Sequence, residues 1–276
     1  MKKSPTLWAR LCAAPYIVWM LIFIAAPLIM VAYYAFTDAA GNFTFKNIVA
    51  LDGYAGIFIR SIWYGLITTA ISLVIAFPFA YAISQKSTKY QSTMIMLLMV
   101  PMWMNFLIRT YSWMNILSDN GIINTFLDKI GLPTLEMINT PGAVILGMVY
   151  NFVPFMILQI NSALCKMDHS LLEAAADLGA SKAETFKKVT FPLSLPGVIN
   201  GITLVFLPAV SSFFIPKLLG GGQYFLIGNL IENQFITAGE WNFGSAISMI
   251  MAIIMMLMMM LVKKVEVHNN GGKEEE

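Results

Sequence analysis

The chain has 276 residues, 58% of them hydrophobic and only 12% charged, with a formal net charge of +2 and a mean hydropathy of +0.72. That is far more apolar surface than a soluble domain can hide, so the composition describes an integral membrane protein whose surroundings are lipid. The small charge, scattered at loop boundaries without a basic patch, gives no basis for a nucleic-acid partner.

Taken in order, Lys2, Lys3 and Arg10 precede an apolar run over residues 13–36. A secretory signal peptide has an apolar region of only about 7–15 residues and a small-residue cleavage site, so this longer run reads as a retained first helix. A polar loop over residues 37–60 leads to a second span, 62–84, which ends at the basic turn Gln85, Lys86, Ser87, Thr88, Lys89. The third span is predicted over 92–113, with Pro101, Trp103, Asn105 and Arg109 in it, and Arg109 is expected to snorkel to the headgroups. Residues 115–141 are too polar to span. Within them Ile122, Ile123, Phe126, Leu127 and Ile130 recur at helical spacing opposite Asn124, Asp128 and Lys129, which predicts a short interfacial helix with Asp119 as a possible cap. The fourth span is 143–164, the fifth 197–215 with Pro208 at its middle, and the sixth 243–262, preceded by a Gly-rich polar loop over 217–242. Each is long enough for a hydrocarbon core of about 30 Å. The fold class is therefore all-α, a polytopic membrane protein with six transmembrane helices, and the tail after Lys263 and Lys264 has the composition of a disordered end.

Orientation follows from Lys and Arg, which crowd cytoplasmic segments. With the amino terminus inside, the inner segments hold Lys2, Lys3, Arg10, Lys86, Lys89, Lys166, Lys182, Lys187, Lys188, Lys263, Lys264 and Lys273, and the outer ones Lys46, Arg60, Arg109, Lys129 and Lys217. Both termini are expected in the cytoplasm, together with the loop after the fourth span.

That loop, residues 168–196, alone mixes charge and apolar residues regularly. Ser170 to Glu173 and Ser181 to Glu184 each have the S-x-x-E spacing of a capping box, in which hydroxyl and carboxylate satisfy free N–H groups of a first helical turn. Gly179 between them suits the left-handed closure of a helix. Lys187 and Lys188 fall where a second short helix ends, and Pro192 and Pro196 are expected to stop it. A solvated connection between spans would tolerate the same pattern.

Catalytic chemistry finds little support. The chain has no G-x-x-x-x-G-K-[ST] phosphate loop, no H-E-x-x-H and no G-x-S-x-G. His169 and His268 lack ligand-spaced neighbours, and Cys12 and Cys165 have neither the number nor the spacing for a metal site or redox pair. No metal and no cofactor is implied, and the spans hold almost none of the ionisable groups a membrane enzyme needs. Work that needs ATP falls to another subunit.

Glu173-Ala174-Ala175, then Gly179, then Val189-Thr190-Phe191-Pro192 resembles the EAA motif of importer-type ABC-transporter permeases, with Val189 and Phe191 in place of the usual Ile and Leu. The likeness extends over most of residues 53–262. Residues 100–111, 204–222 and 226–231 are similar to spermidine/putrescine permeases of the PotB type. The resemblance implies the ABC type-1 (MetI-like) permease fold: an N-terminal segment 1–52, a permease domain 53–262 with its coupling region at 168–192, and a tail 263–276. It implies an inner-membrane subunit of a bacterial importer, not itself an enzyme. Its partners would be a second permease subunit as a heterodimer, two cytoplasmic ATP-binding subunits and an extracytoplasmic polyamine-binding protein. Glu173, Ala174, Ala175, Asp177, Gly179 and Pro192 would couple it to the ATPase.

A polycation path needs polar and π-rich surfaces. Candidates are Trp103, Asn105, Tyr150, Asn151, Asn161, Asn200, Ser211 and Ser212, each of which would serve equally in helix packing. Pro78, Pro101, Pro154 and Pro208 are candidate flexible points, although proline is also simply commoner in membrane helices. Iron, thiamine and sulfate permeases share the architecture, so a related cargo stays open. So, from other classes, do an ATP-independent channel and a membrane-embedded enzyme.

Overall fold

The computed structural model describes residues 15–168 and 170–271, with side chains as far as Lys264. Lys2, Lys3, Arg10, Cys12, His169 and Lys273 lie outside the described residues, as does the His268 side chain. Among the described residues the structure is helical, apart from an isolated antiparallel bridge between Thr37 and Phe43. In chain order the helices are α1 (Pro15–Ala35), α2 (Lys46–Ser84) and α3 (Thr88–Trp103), then α4 (Phe106–Leu117), α5 (Ile122–Lys129), α6 (Pro141–Cys165) and α7 (Ser170–Asp177). They continue with α8 (Lys182–Ser211), α9 (Phe214–Leu219), α10 (Ile227–Glu232, extended by a π turn at Asn233–Ala238) and α11 (Trp241–Gly271). Helices α1, α2, α6, α8 and α11 are each long and apolar enough to cross a membrane.

The third span departs from its straight prediction. The chain bends by 86° between Thr88–Trp103 and Phe106–Lys129. Met104 is extended, and the Asn105 side chain accepts the N–H groups of Leu107 at 2.8 Å and Ile108 at 3.4 Å, which starts a new helix. This local cap outweighs the apolar continuity of the run. Beyond the break Arg109 is buried at 9% exposure, and its Nε has no hydrogen-bond partner within the protein. Helix α5 forms as predicted, but its N-cap is Gly121, not Asp119. Asn124, expected on the wet face, is buried there instead: its amide donates to the Ser118 and Leu135 carbonyls and its oxygen accepts the Leu135 N–H.

The described chain falls into two compact units, residues up to 55 with 230–254, and residues 56–229 with those from 255 onward. In the first, α1 leaves its span unburied, as a lipid-facing helix does. The connection after it is tied by two asparagine amides. Asn242 donates to Thr37 O at 2.7 Å and Tyr34 O at 3.2 Å, and Asn47 donates to Thr37 O at 2.9 Å and Ala35 O at 3.2 Å.

The core of the second unit is the packing of α6 on α8, the most extensive helix pair in the molecule. Gly197 and Gly201, four residues apart, permit it. A Cβ at Gly197 would lie 2.5 Å from Ala163 Cβ and 2.6 Å from Gln159 O, and one at Gly201 would lie 2.5 Å from Met156 Sδ. Small residues at this spacing let membrane helices approach to backbone contact. Met148, Met156, Ile160, Val198 and Val205 fill the seam. Helix α9 packs against α4 and α6, with Ile215 and Leu219 over Gly147. The stretch read as a polar loop over 217–242 therefore holds the end of α9 (Phe214–Leu219) and the helical run from Ile227 to Ala238, joined by an irregular turn, and although Lys217 and residues 221–223 are exposed, Leu219, Leu226, Ile227 and Asn229 are buried. Glycines and a glutamine set its composition, but tertiary contacts set its place.

At the carboxyl end α11 runs past Val262 to Gly271, so residues 263–271 are helical where composition suggests disorder. Residues 272–276 lie outside the described part.

Candidate functional site

The connection between α6 and α8 is ordered by short-range bonds among its own backbone and capping side chains. After α6 ends at Cys165, the Asp168 carboxylate accepts the Ser170 N–H at 2.9 Å and its carbonyl accepts the Leu171 N–H at 3.2 Å. Asp168, not Ser170, thus caps α7. Ser170 is already helical, so the box expected from Ser170 and Glu173 does not form. The far end closes as a Schellman turn: Gly179 N–H donates to Ala176 O at 2.9 Å, and Ala180 N–H to Ala175 O at 3.0 Å. Gly179 sits at φ +78°, the left-handed geometry that this motif requires.

The second box is present in full. The Glu184 carboxylate accepts the Ser181 N–H at 2.9 Å and its hydroxyl at 2.8 Å, while Ser181 Oγ accepts the Glu184 N–H at 3.3 Å. The helix that it starts is not stopped at Pro192 or Pro196. It passes through a π turn at Phe186–Thr190, where the Phe191 N–H reaches Phe186 O, and continues to Ser211. Proline lacks an N–H and crowds the carbonyl four residues earlier. The wider π turn opens the ladder at that point, so Pro192 enters without breaking the helix. One rigid element therefore joins the loop to the fifth span.

Aromatic contacts fix this element to α2. Phe186 meets Phe77 at 5.6 Å and Tyr81 at 5.5 Å between ring centroids, both edge-on, and Phe191 meets Phe77 at 5.7 Å. The outer surface of the loop has the opposite character. Nothing in α7 is buried; Glu173, Ala174 and Asp177 are exposed, Ala175 is half-buried, and Leu178 is 88% exposed. Pro192 is exposed as well. Leu178 thus stands exposed at the end of α7, beside Asp177 and within reach of a partner along with Glu173 and the small alanines. Leu178 and Phe186 were absent from the sequence-derived set. Leu178 was legible as a lone apolar residue just before the capping glycine; the partners of Phe186 lie about a hundred residues away and leave no local signal.

The residues proposed for a polar pathway fall at separate places. Trp103 is 77% exposed at the end of α3, and Asn105 is spent on capping α4. Tyr150 packs edge-on against Trp113 at 5.3 Å. Asn151 and Asn161 are buried in α6; Asn151 donates to Gly147 O at 2.8 Å, and both have an Oδ1 without a partner. Asn200 lines a cavity of about 380 Å³ with Gln159, Ser162, Lys166 and Asp168, at the root of the loop. Ser211 bonds back to Leu207 O, and Ser212 is the buried cap of α8. Among the described residues no His, Cys, Asp or Glu cluster could hold a metal ion.

Comparison with known proteins places this arrangement. The family model described as "Binding-protein-dependent transport system inner membrane component" matches residues 5–266. The spermidine/putrescine transport system permease protein PotB of Haemophilus influenzae is 36% identical over 264 residues, 92% of each chain. PotB of Escherichia coli K12 is 37% identical over 246 residues, 86% of this chain and 90% of its own. Among solved structures, a chain of a bacterial ABC transporter involved in import of the acidic polysaccharide alginate superposes with a TM-score of 0.76 at 21% identity, over 94% of both chains. The fold is thus that of ABC importer permeases, and the chain belongs to the binding-protein-dependent transport system inner membrane components, multi-pass permease subunits of the inner membrane that are not themselves enzymes.

Proposed function

We propose that this chain is the membrane-spanning subunit through which an ATP-binding-cassette importer moves spermidine or putrescine, and that residues 168–192 couple it to the ATPase. The cargo reading rests on relatives named for spermidine and putrescine that match over more than four-fifths of both chains at 36–37% identity. The coupling reading rests on one observation: an exposed, doubly capped loop whose second arm is continuous with a membrane span.

In this reading the permease domain is residues 53–262, both termini face the cytoplasm as the Lys and Arg distribution indicates, and a second permease chain completes the pathway. One of the two cytoplasmic ATPase subunits docks on Glu173, Ala174, Asp177 and Leu178, with Ala175 and Gly179 shaping the seat. ATP binding draws the ATPases together and displaces α7. The Gly179 turn and the Ser181–Glu184 box transmit that displacement to α8 without melting, and Phe186 and Phe191 pass it to α2 through Phe77 and Tyr81. Hydrolysis releases it. An extracytoplasmic binding protein delivers the polyamine, and the inside-negative potential adds about 2.3 kcal/mol per charge per 100 mV to inward movement.

The test is uptake of labelled spermidine into proteoliposomes holding the chain with its second permease, ATPase and binding protein. Uptake that requires ATP and is suppressed by unlabelled putrescine is expected. Uptake of iron, thiamine or sulfate in its place would overturn the cargo reading, and spermidine flux through the chain alone without ATP would overturn the coupling.

A further inference from the structure

Within the first unit a cavity of about 650 Å³ opens between the connection after α1 and the start of α11. Tyr34, Trp241 and Phe243 form its aromatic walls, Asp38 and Glu240 line it as well, and among the described residues no lysine or arginine does. Its frame is fixed before any ligand arrives. The Asn47 and Asn242 amides hold the backbone at Thr37 from two sides. Trp241 is braced edge-on by Phe235 at 5.6 Å and packs near Tyr34 at 6.5 Å, yet stays more than half exposed. Asp38 is held ionised: the Asn42 backbone N–H above all, then the Asn42 side chain, the Ala40 N–H and the charge of nearby Lys46, keep its carboxyl below the usual range.

Aromatic faces attract cations through their quadrupole, and the attraction grows when a carboxylate neutralises the incoming charge. A cavity with three aromatic walls, two carboxylates and no cationic lining has the chemistry of an ammonium receptor. We propose that it binds a protonated primary amine, with the ammonium group against Trp241 and Tyr34 and beside Glu240 and Asp38. The choice of a polyamine as occupant rests on the import reading above, in which these connections face outward and the cavity receives one end of the cargo before it enters the membrane. An ethanolamine headgroup carries the same ammonium and is the other source.

The full-length chain in phosphatidylcholine nanodiscs is titrated calorimetrically with spermidine, putrescine and the uncharged 1,4-butanediol. Both amines are expected to bind and the diol not to. Glu240→Gln and Trp241→Ala should each weaken binding by about tenfold, while Trp241→Phe retains most of it because the aromatic face remains. Circular dichroism confirms that each variant is folded. Repeating the titration with phosphatidylethanolamine in the disc separates the sources: competition assigns the site to the lipid headgroup, and its absence to the free polyamine. No amine binding, or equal affinity in wild type and the Glu240→Gln and Trp241→Ala variants, overturns the site. Failure here with ATP-driven spermidine uptake intact removes this cavity alone; sound amine binding with no ATP-driven uptake removes the import reading alone.

Discussion

The connections on either side of α8 are built by opposite means. The one before it, through α7, buries no residue of that helix and is held by bonds between near neighbours: Asp168 to Ser170, Gly179 to Ala176, Ser181 to Glu184. The one after it, through α9 to Asn229, exposes its glycine turn but buries Leu219, Leu226, Ile227 and Asn229 and is held across long stretches of chain. The Ile227 N–H donates to Ser61 Oγ at 2.8 Å, and Asn229 donates to Phe213 O at 2.7 Å while its oxygen takes the Leu226 N–H. A connection of the first kind can be displaced as a unit without opening the core, and offers its surface to a partner. One of the second kind cannot shift without stranding buried polar groups. In the coupling proposed above, the first connection receives the push and the second holds fast.

The asymmetry can be broken from either side. The largest effect on stability is expected from Asn229→Ala, which strands the Phe213 carbonyl and the Leu226 N–H, each worth about 1–3 kcal/mol when buried and unpaired. The melting temperature of the purified chain should fall by several degrees, and no change would show that the second connection is not held by these bonds. Ser181→Ala removes one hydroxyl from an exposed box, at about 1 kcal/mol; its mark should be faster amide exchange over the start of α8, with the melting temperature nearly unchanged. Leu178→Ser should alter stability by no more than about 0.5 kcal/mol, since the side chain is in water. ATP-driven uptake should nonetheless fall severalfold if the ATPase seats on it, and full uptake would remove Leu178 from the docking surface.

How much could be read from residues alone follows the same division. Gly179, the Ser181–Glu184 box and the first, second, fourth and sixth apolar spans are local patterns of two to about twenty residues, and the structure forms them where the sequence places them. The first box gives way because the Asp168 carboxylate takes the Ser170 N–H, the donor that Glu173 would accept in it. The helix ran through Pro192 because a π turn absorbed the misfit, which no proline rule anticipates. Asn105 broke the third span because one good cap can override an apolar run. The burial of Leu219, Leu226 and Asn229 depends on Gly147, Ser61 and Phe213, which composition cannot pair with them. For the proposed coupling surface the spacing alone singles out Glu173, Gly179 and the Ser181–Glu184 box, but not Leu178. For a polar pathway it supplied only residue types; in the structure the Asn105 oxygen caps α4, Asn151 lies within α6 and Ser212 ends α8.

Gly179 tests the coupling account most directly, because nothing lies within 4 Å of where its Cβ would be. A side chain there meets no neighbour and strains only the left-handed backbone, by about 1–2 kcal/mol, so the spans and their packing are untouched. The measurement is ATP-driven spermidine uptake by the Gly179→Asp variant in proteoliposomes with its partner subunits, after insertion and melting temperature are shown to match wild type. The account predicts a correctly inserted chain with uptake reduced to background. Wild-type uptake by that variant would contradict it.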